Sequence, residues 1–313
     1  MESTGRGAVA LLASFVVAGA GVALTLTLGA AGSGDGSAGP AGGSAGAHAE
    51  ASAYRADRMA DQLVAPAGEA RPGDAAGAPA ATGTPPPGRR LTARPVRVLV
   101  YGDSLGWESY PRLEAGLAAA GAVVTGQTFP MTALCDWLPA MAGTVVRTRP
   151  DLLVLVFNGN RRTACMQGQD GRPLSGQPLS EKYRRDALTA VGVATRAGAW
   201  TLLVGGPVFR ADSAQIGAGR AYEEIAARVP GVSYVDAGEA VAPGHRFAAR
   251  LPCESLDRGH CDADGTVAVR SADGIHFCPG DGGARRPCPV WSSGAFRYAA
   301  AIDTAASRLL GLR

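Results

Sequence analysis

The chain predicts a doubly wound α/β domain of three layers, α/β/α, with a parallel sheet of about five strands. Two observations carry this reading. Five short runs, Val96 to Tyr101, Val123 to Phe129, Leu152 to Phe157, Thr201 to Val204 and Val232 to Val235, are rich in β-branched residues and mostly apolar at successive positions. Strands of a parallel sheet covered on both faces read in this way. Between the runs lie amphipathic stretches: Tyr110, Leu113 and Leu117, then Tyr183, Ala187 and Val191, then Tyr222, Ile225 and Val229. A final one puts Tyr298, Ile302, Ala305 and Leu309 on one face. Alternation of strand and helix implies crossover connections and a flavodoxin-like arrangement. In such sheets the chemistry sits in loops at the carboxyl ends of the strands.

The alternation begins only near Arg94. Of 313 residues, 44 are Gly and 21 are Pro, and the excess gathers in the first third of the chain. Residues 32–93 are dominated by Gly, Ala, Ser and Pro, end in Pro85-Pro86-Pro87, and lack the periodic large apolar residues that offset ordering entropy. They read as a disordered spacer. Ahead of them, residues 7–31 carry no charge and follow Arg6. That stretch is long enough to span a bilayer as a signal anchor, while Gly29 to Ala31 also suit the cleavage site of a signal peptide. Either reading places residues 94–313 outside the cytoplasm, membrane-anchored or secreted, with the membrane a partner of the N-terminal segment alone.

Charge and cysteine usage narrow the class. The net charge is +3 and the arginines are scattered rather than gathered into a stripe, so nucleic acid is not an expected partner. Six cysteines, Cys135, Cys165, Cys253, Cys261, Cys278 and Cys288, all follow the spacer and form no CxxC pair. An even set in an exported chain predicts three disulfides rather than a zinc site. The acidic turn Asp262-Ala263-Asp264-Gly265, with Asp273 beyond it, lacks the terminal glutamate and oxygen spacing of a calcium loop and reads as a hydrophilic turn. No metal or other cofactor is expected. Oligomeric state leaves no mark on the sequence.

Three loops hold residues that fit nucleophilic catalysis. Gly102-Asp103-Ser104-Leu105 follows the first strand and opens a helix, so Ser104 stands near the positive end of that helix. A helix N-cap would use the same residue types. A serine hydroxyl needs a base, and the base an orienting group. Of the four histidines, His48 lies in the spacer, and His245 and His260 occupy loops with no evident acidic partner. His276, in Asp273-Gly274-Ile275-His276, has a carboxylate three residues before it, close enough for one turn to hold both. A surface turn would look alike. Asn158-Gly159-Asn160 follows the third strand, where an amide side chain can donate to an oxyanion and Gly159 permits close backbone approach. An ordinary strand-ending turn is the plainer alternative.

Taken together and in this order, the three segments resemble the SGNH hydrolases, or GDSL esterases, across nearly all of residues 94–313. Gly102-Asp103-Ser104-Leu105 corresponds to the first block, Asn160 to the asparagine of the third, and Asp273 with His276 to the fourth. The resemblance implies a metal-free serine esterase: Ser104 attacks the acyl carbonyl, His276 takes its proton and Asp273 holds His276. It also implies an oxyanion hole built from the Ser104 amide, the Asn160 side chain and a glycine amide of the second block. Two departures stand out. Asn158 occupies a position that is usually glycine, and the second-block glycine has no clear counterpart. Gly126 lies too early, inside the strand, so the Met131 or Thr132 amide is the expected substitute. The cysteines are similar to those of disulfide-bearing exported members. The family's strand order brings the loops of Cys135 and Cys165 together, and proximity in sequence pairs Cys253 with Cys261 and Cys278 with Cys288.

The function expected is hydrolysis of carboxylic acyl esters, of a small molecule or a glycan, through an acyl-serine intermediate. Acyl transfer to or from a cell-surface carbohydrate would use the same residues. A catalytically silent carbohydrate-binding module is a third reading, against which the complete set of Ser104, Asn160, Asp273 and His276 argues.

Overall fold

A computed structural model describes residues 94–210, 214–280 and 282–312. The segments read as export signal and spacer, and His48, lie outside the described residues. Five parallel strands form the sheet: β1 Arg97–Gly102, β2 Val123–Thr128, β3 Leu152–Val156, β4 Trp200–Val204 and β5 Val232–Val235. Their order is β2-β1-β3-β4-β5, the flavodoxin-like order expected from the sequence. The chain leaves β1 for β2 on one side and returns to β3 on the other, so the crevice outside the end of β1 is the topological switch point.

Each strand sends alternate residues to opposite faces, and both faces are covered. Val98, Val100, Leu152, Val154, Val156, Leu202 and Val204 meet α1 (Ser104–Ala119) and the C-terminal α5 (Ser293–Leu310). Leu99, Tyr101, Leu153, Leu155, Phe157 and Leu203 meet α2 (Leu134–Thr148), α3 (Gly176–Arg196) and α4 (Ala214–Arg228). A strand buried on both sides cannot alternate polar with apolar, which is why the sequence runs are continuous.

Three details differ from the sequence reading. Helix α2 was not anticipated, because Cys135-Asp136-Trp137 looks like a loop and Pro139 breaks the helical pattern. Asp136 makes the helix start there: its carboxylate accepts the Ala133 N–H at 2.8 Å, closing the N-terminal turn. On α5 the deepest seam is Tyr298, Ala299, Ile302, Ala306 and Leu310, while Ala305 and Leu309 pack only partly buried at its edge. A period of 3.6 residues shifts the seam by one position from the face first drawn. The third is a small antiparallel hairpin, β6 (Arg250–Pro252) with β7 (Thr266–Ala268), between β5 and α5. Arg297 of α5, buried, donates to Asp257 and Glu254 at 2.7 Å each and holds this excursion to the domain. No helix of the described residues is long and apolar enough to cross a membrane.

Candidate active site

Ser104 is the first residue of α1, reached from β1 through Gly102 and Asp103. The turn is tight: a Cβ on Gly102 would lie 3.0 Å from the Gly106 Cα and 3.2 Å from the Val156 carbonyl oxygen. Asp103 caps the helix, accepting the Leu105 N–H at 3.0 Å. Its second carboxylate oxygen accepts the Asn158 N–H at 2.7 Å, so one buried side chain joins the end of β1 to the end of β3. Ser104 itself is partly exposed, and its amide is one of the first-turn N–H groups that a helix cannot pair internally.

The Asn158-Gly159-Asn160 loop is held from three sides. The buried Asn158 amide donates to the Tyr298 hydroxyl at 3.2 Å. Room for this side chain comes from Gly206, where a Cβ would sit 2.2 Å from the Asn158 Oδ1. The absence of a side chain at Gly206 is what leaves room for an asparagine at position 158. Gly159 has φ of +91°, which favours glycine, and turns the chain so that Asn160 leaves the sheet edge. The Asn160 side chain donates to the Thr132 carbonyl at 3.0 Å, and its backbone carbonyl accepts the Tyr183 hydroxyl at 2.7 Å. One amide proton of Asn160 is thereby engaged, and the second is available to a ligand.

Met131 and Thr132 lie in the loop after β2. Met131 adopts φ of +65°, a conformation suited to glycine, and its side chain is 72% exposed. The Thr132 hydroxyl donates to the Phe129 carbonyl at 2.8 Å and accepts from the Trp137 indole at 3.1 Å. Gly126 belongs to β2, as its position suggested, and is there for packing: a Cβ would lie 2.4 Å from the Tyr110 ring. Cys135 and Cys165 are bonded to each other, Cα atoms 6.1 Å apart, which links the start of α2 to the segment after Asn160. Cys253 is bonded to Cys261 and Cys278 to Cys288.

Asp273 and His276 form a pair, with His276 Nδ1 at 2.6 Å from an Asp273 carboxylate oxygen. The same carboxylate accepts the Ile275 N–H at 2.8 Å, the His276 N–H at 3.0 Å and the Gly283 N–H at 2.9 Å, and it also accepts the Ser271 hydroxyl. Burial pushes the Asp273 carboxyl up, but hydrogen bonds from His276 and Ser271 and the loop amides outweigh it and hold it well below the usual range. Gly274, at φ of +70°, makes the turn that folds the pair together. Among the described residues no hydrogen bond joins Ser104 to His276.

A residue the sequence reading missed connects the two halves. Glu108 lies one turn along α1 from Ser104, is 4% exposed, and accepts the Phe277 N–H at 2.7 Å and the Arg285 N–H at 3.1 Å. The available signal was a lone carboxylate on a helical face of Leu105, Ser109 and Leu113.

The reading of His245 needs correction. His245 has acidic partners: its Nδ1 lies 3.6 Å from Asp236 and 3.9 Å from Glu239, on a 70% exposed side chain. Asp236 faces His245. His260 stacks on Trp291, ring centroids 4.6 Å apart. The Asp262–Gly265 segment is the β6–β7 turn, in which Gly265 donates to the Asp262 carbonyl at 2.9 Å and Asp264 accepts the Thr266 N–H at 2.9 Å.

The strand order is flavodoxin-like, with a serine at the switch point, an asparagine beyond β3 and an Asp-x-x-His pair before the last helix. The chain belongs to the family described as "Protein of unknown function (DUF459)", whose model matches residues 97–285. It is similar to solved structures of low sequence identity. A lipase/acylhydrolase from Enterococcus faecalis is 16% identical with a TM-score of 0.45, covering 70% of this chain and 97% of that one. The catalytic domain of peptidoglycan O-acetyltransferase A from Streptococcus pneumoniae is 15% identical with a TM-score of 0.43, covering 70% and 97%. The esterase EstA from a Pseudoalteromonas species is 11% identical with a TM-score of 0.44, covering 69% and 98%. Among curated proteins none matches.

Proposed function

We propose that the chain is an extracytoplasmic serine ester hydrolase that cleaves carboxylic acyl esters through an acyl-serine intermediate. The observation that carries this reading is the His276–Asp273 contact of 2.6 Å on a loop docked against the helix that begins at Ser104. A carboxylate bound to Nδ1 fixes the tautomer in which Nε2 is a base. His276 takes the Ser104 proton as the hydroxyl attacks the acyl carbonyl, and returns it to the departing alcohol. Water, activated by the same imidazole, then hydrolyses the acyl-serine. The developing oxyanion faces the Ser104 amide at the helix start, the Asn160 side chain and an amide of the Met131–Thr132 segment, donors that need no reorganisation during the reaction.

The exposed side chains of Phe129, Met131 and Ile275 lie in the loops bearing these groups and offer an apolar rim for an acyl group. Three disulfides and the charge-free residues 7–31 support a place outside the cytoplasm. The spacer between them suits a domain held at a distance from a membrane and acting on an acylated glycan.

A fluorophosphonate probe tests the chemistry directly. The full-length protein is expected to be labelled at Ser104, as located by peptide mapping, and to hydrolyse p-nitrophenyl acetate. Absence of labelling in a folded protein, or labelling at another residue, overturns the assignment.

A further inference from the structure

We propose that Glu108 is a positioning residue for His276, one that fixes the distance between base and nucleophile and favours the imidazolium formed during the reaction. The proposal rests on the assignment of Ser104 and His276 above.

Residues four apart on a helix share a face, so Glu108 lies directly along α1 from Ser104. Its two oxygens take separate N–H groups, Phe277 at 2.7 Å and Arg285 at 3.1 Å. Phe277 follows His276 immediately, and Arg285 lies across the loop closed by the Cys278–Cys288 bond. One carboxylate therefore grips both arms of the loop that carries the base. Since Glu108 and Ser104 belong to one rigid helix, a shift of the loop relative to the nucleophile must break a buried charged hydrogen bond, which makes this helix the ruler for the catalytic distance.

The charge adds a second effect. Glu108 is buried, and burial pushes its carboxyl up against the opposing influence of the Phe277 amide and the His276 charge. When ionised it favours a positive imidazole. The other charged groups facing this loop are Asp273, Arg285 and Arg286 on the loop itself, Asp103 at the end of β1, Arg270 before it and Arg210 from the loop after β4; Arg286, over the Trp107 ring at 5.3 Å, opposes the effect of Glu108. Asp103 and Asp273 act with Glu108. Arg270, over the Phe277 ring at 4.9 Å, and Arg210, donating to the Ala272 carbonyl, act against it.

The test uses the full chain and the variants Glu108→Gln and Glu108→Ala. Gln keeps the shape and one acceptor oxygen but removes the charge and the second acceptor, so it decides the matter where Ala fails to fold. For p-nitrophenyl acetate, Glu108→Gln is expected to lower kcat by about 10- to 100-fold with KM changed by less than about threefold, since misplacement by about 1 Å costs on the order of 100-fold. The loss in kcat is expected to persist across the whole pH profile of the variant, with KM held. A kcat within about twofold of the parent in a folded Glu108→Gln protein, or a loss carried by KM alone, overturns the proposal. Failure of the parent protein to label with fluorophosphonate defeats the esterase reading, whereas a parent that labels and turns over while Glu108→Gln keeps its kcat defeats the role of Glu108 alone.

Discussion

The Asp103 carboxylate accepts the backbone N–H of Asn158 at 2.7 Å, and through it the residue before the nucleophile is fixed to the loop that carries Asn160. Burial pushes this carboxyl up to about 6, with the amides of Asn158 and Leu105 and the His276 charge pulling the other way. The ionised form is therefore the costly one in the folded protein, and a pH dependence of stability follows.

Below the ordinary carboxyl value of 3.8 both folded and unfolded chains hold the proton. As pH rises the unfolded chain loses it first, so this residue's contribution to stability falls through the window from 3.8 to about 6 and then levels. The rise corresponds to roughly 3 kcal/mol. Asp103→Asn removes the titration and leaves one amide without its acceptor, a loss independent of pH. Urea unfolding between about pH 4 and 7 is expected to show the parent losing stability relative to the variant across that window. A constant difference would mean that Asp103 is ionised at no cost.

Ser104 and His276 act as one unit in the proposed chemistry. Ser104→Ala and His276→Ala are each expected to abolish turnover to near background, and the double variant to lose little beyond either one. The measurement is steady-state hydrolysis of p-nitrophenyl acetate by folded variants. Substantial activity in Ser104→Ala would refute the nucleophile assignment.

Asp273→Asn removes the carboxylate that orients His276 in the proposed chemistry. Had Asp236 stood near His276 it would have offered a second support, but it pairs with His245 at 3.6 Å. Asparagine at 273 presents either an acceptor to His276 or acceptors to the loop amides, not both, and permits the wrong imidazole tautomer. A loss in kcat on the order of 1,000-fold or more is expected, with the protein still folded by circular dichroism. Because hydrogen bonding holds the Asp273 carboxyl well below the usual range, it stays ionised through ordinary assay conditions, and the acid limb of a pH profile does not belong to it.

The sheet was legible because strands buried on both faces leave continuous apolar runs, and the Ser104 and Asn160 loops because they fall at the ends of those runs, while the Asp273–His276 pair was legible through its three-residue spacing alone. What stayed hidden depends on contacts between distant segments. Glu108 looks like any helix glutamate until Phe277, 169 residues later, is folded onto it. Asn158 looks like a departure from a family pattern until Gly206 is seen to vacate the space. Helix α2 escaped notice because Pro139 interrupts its first turns, although Asp136 supplies the capping contact that starts it.

The last prediction concerns the bond between Cys135 and Cys165. Cys135 stands at the start of α2, after the Met131–Thr132 segment, and Cys165 follows Asn160 in the loop beyond β3. The bond lies beside a second link between the same loops, the donation from the Asn160 side chain to the Thr132 carbonyl at 3.0 Å. In the esterase reading both segments supply oxyanion donors, so the disulfide holds the donors in register. Closing a loop of 30 residues should stabilise the fold by about 3 to 4 kcal/mol on the chain-entropy model. The Cys135→Ser, Cys165→Ser double variant is expected to lose stability of that order and to lower kcat by about tenfold or more, while its fluorophosphonate labelling slows in parallel. Non-reducing peptide mapping of the parent should show the Cys135–Cys165 peptide. Pairing of Cys135 with any later cysteine would refute the connectivity, and an unchanged kcat in a folded double variant would confine the bond to stability alone.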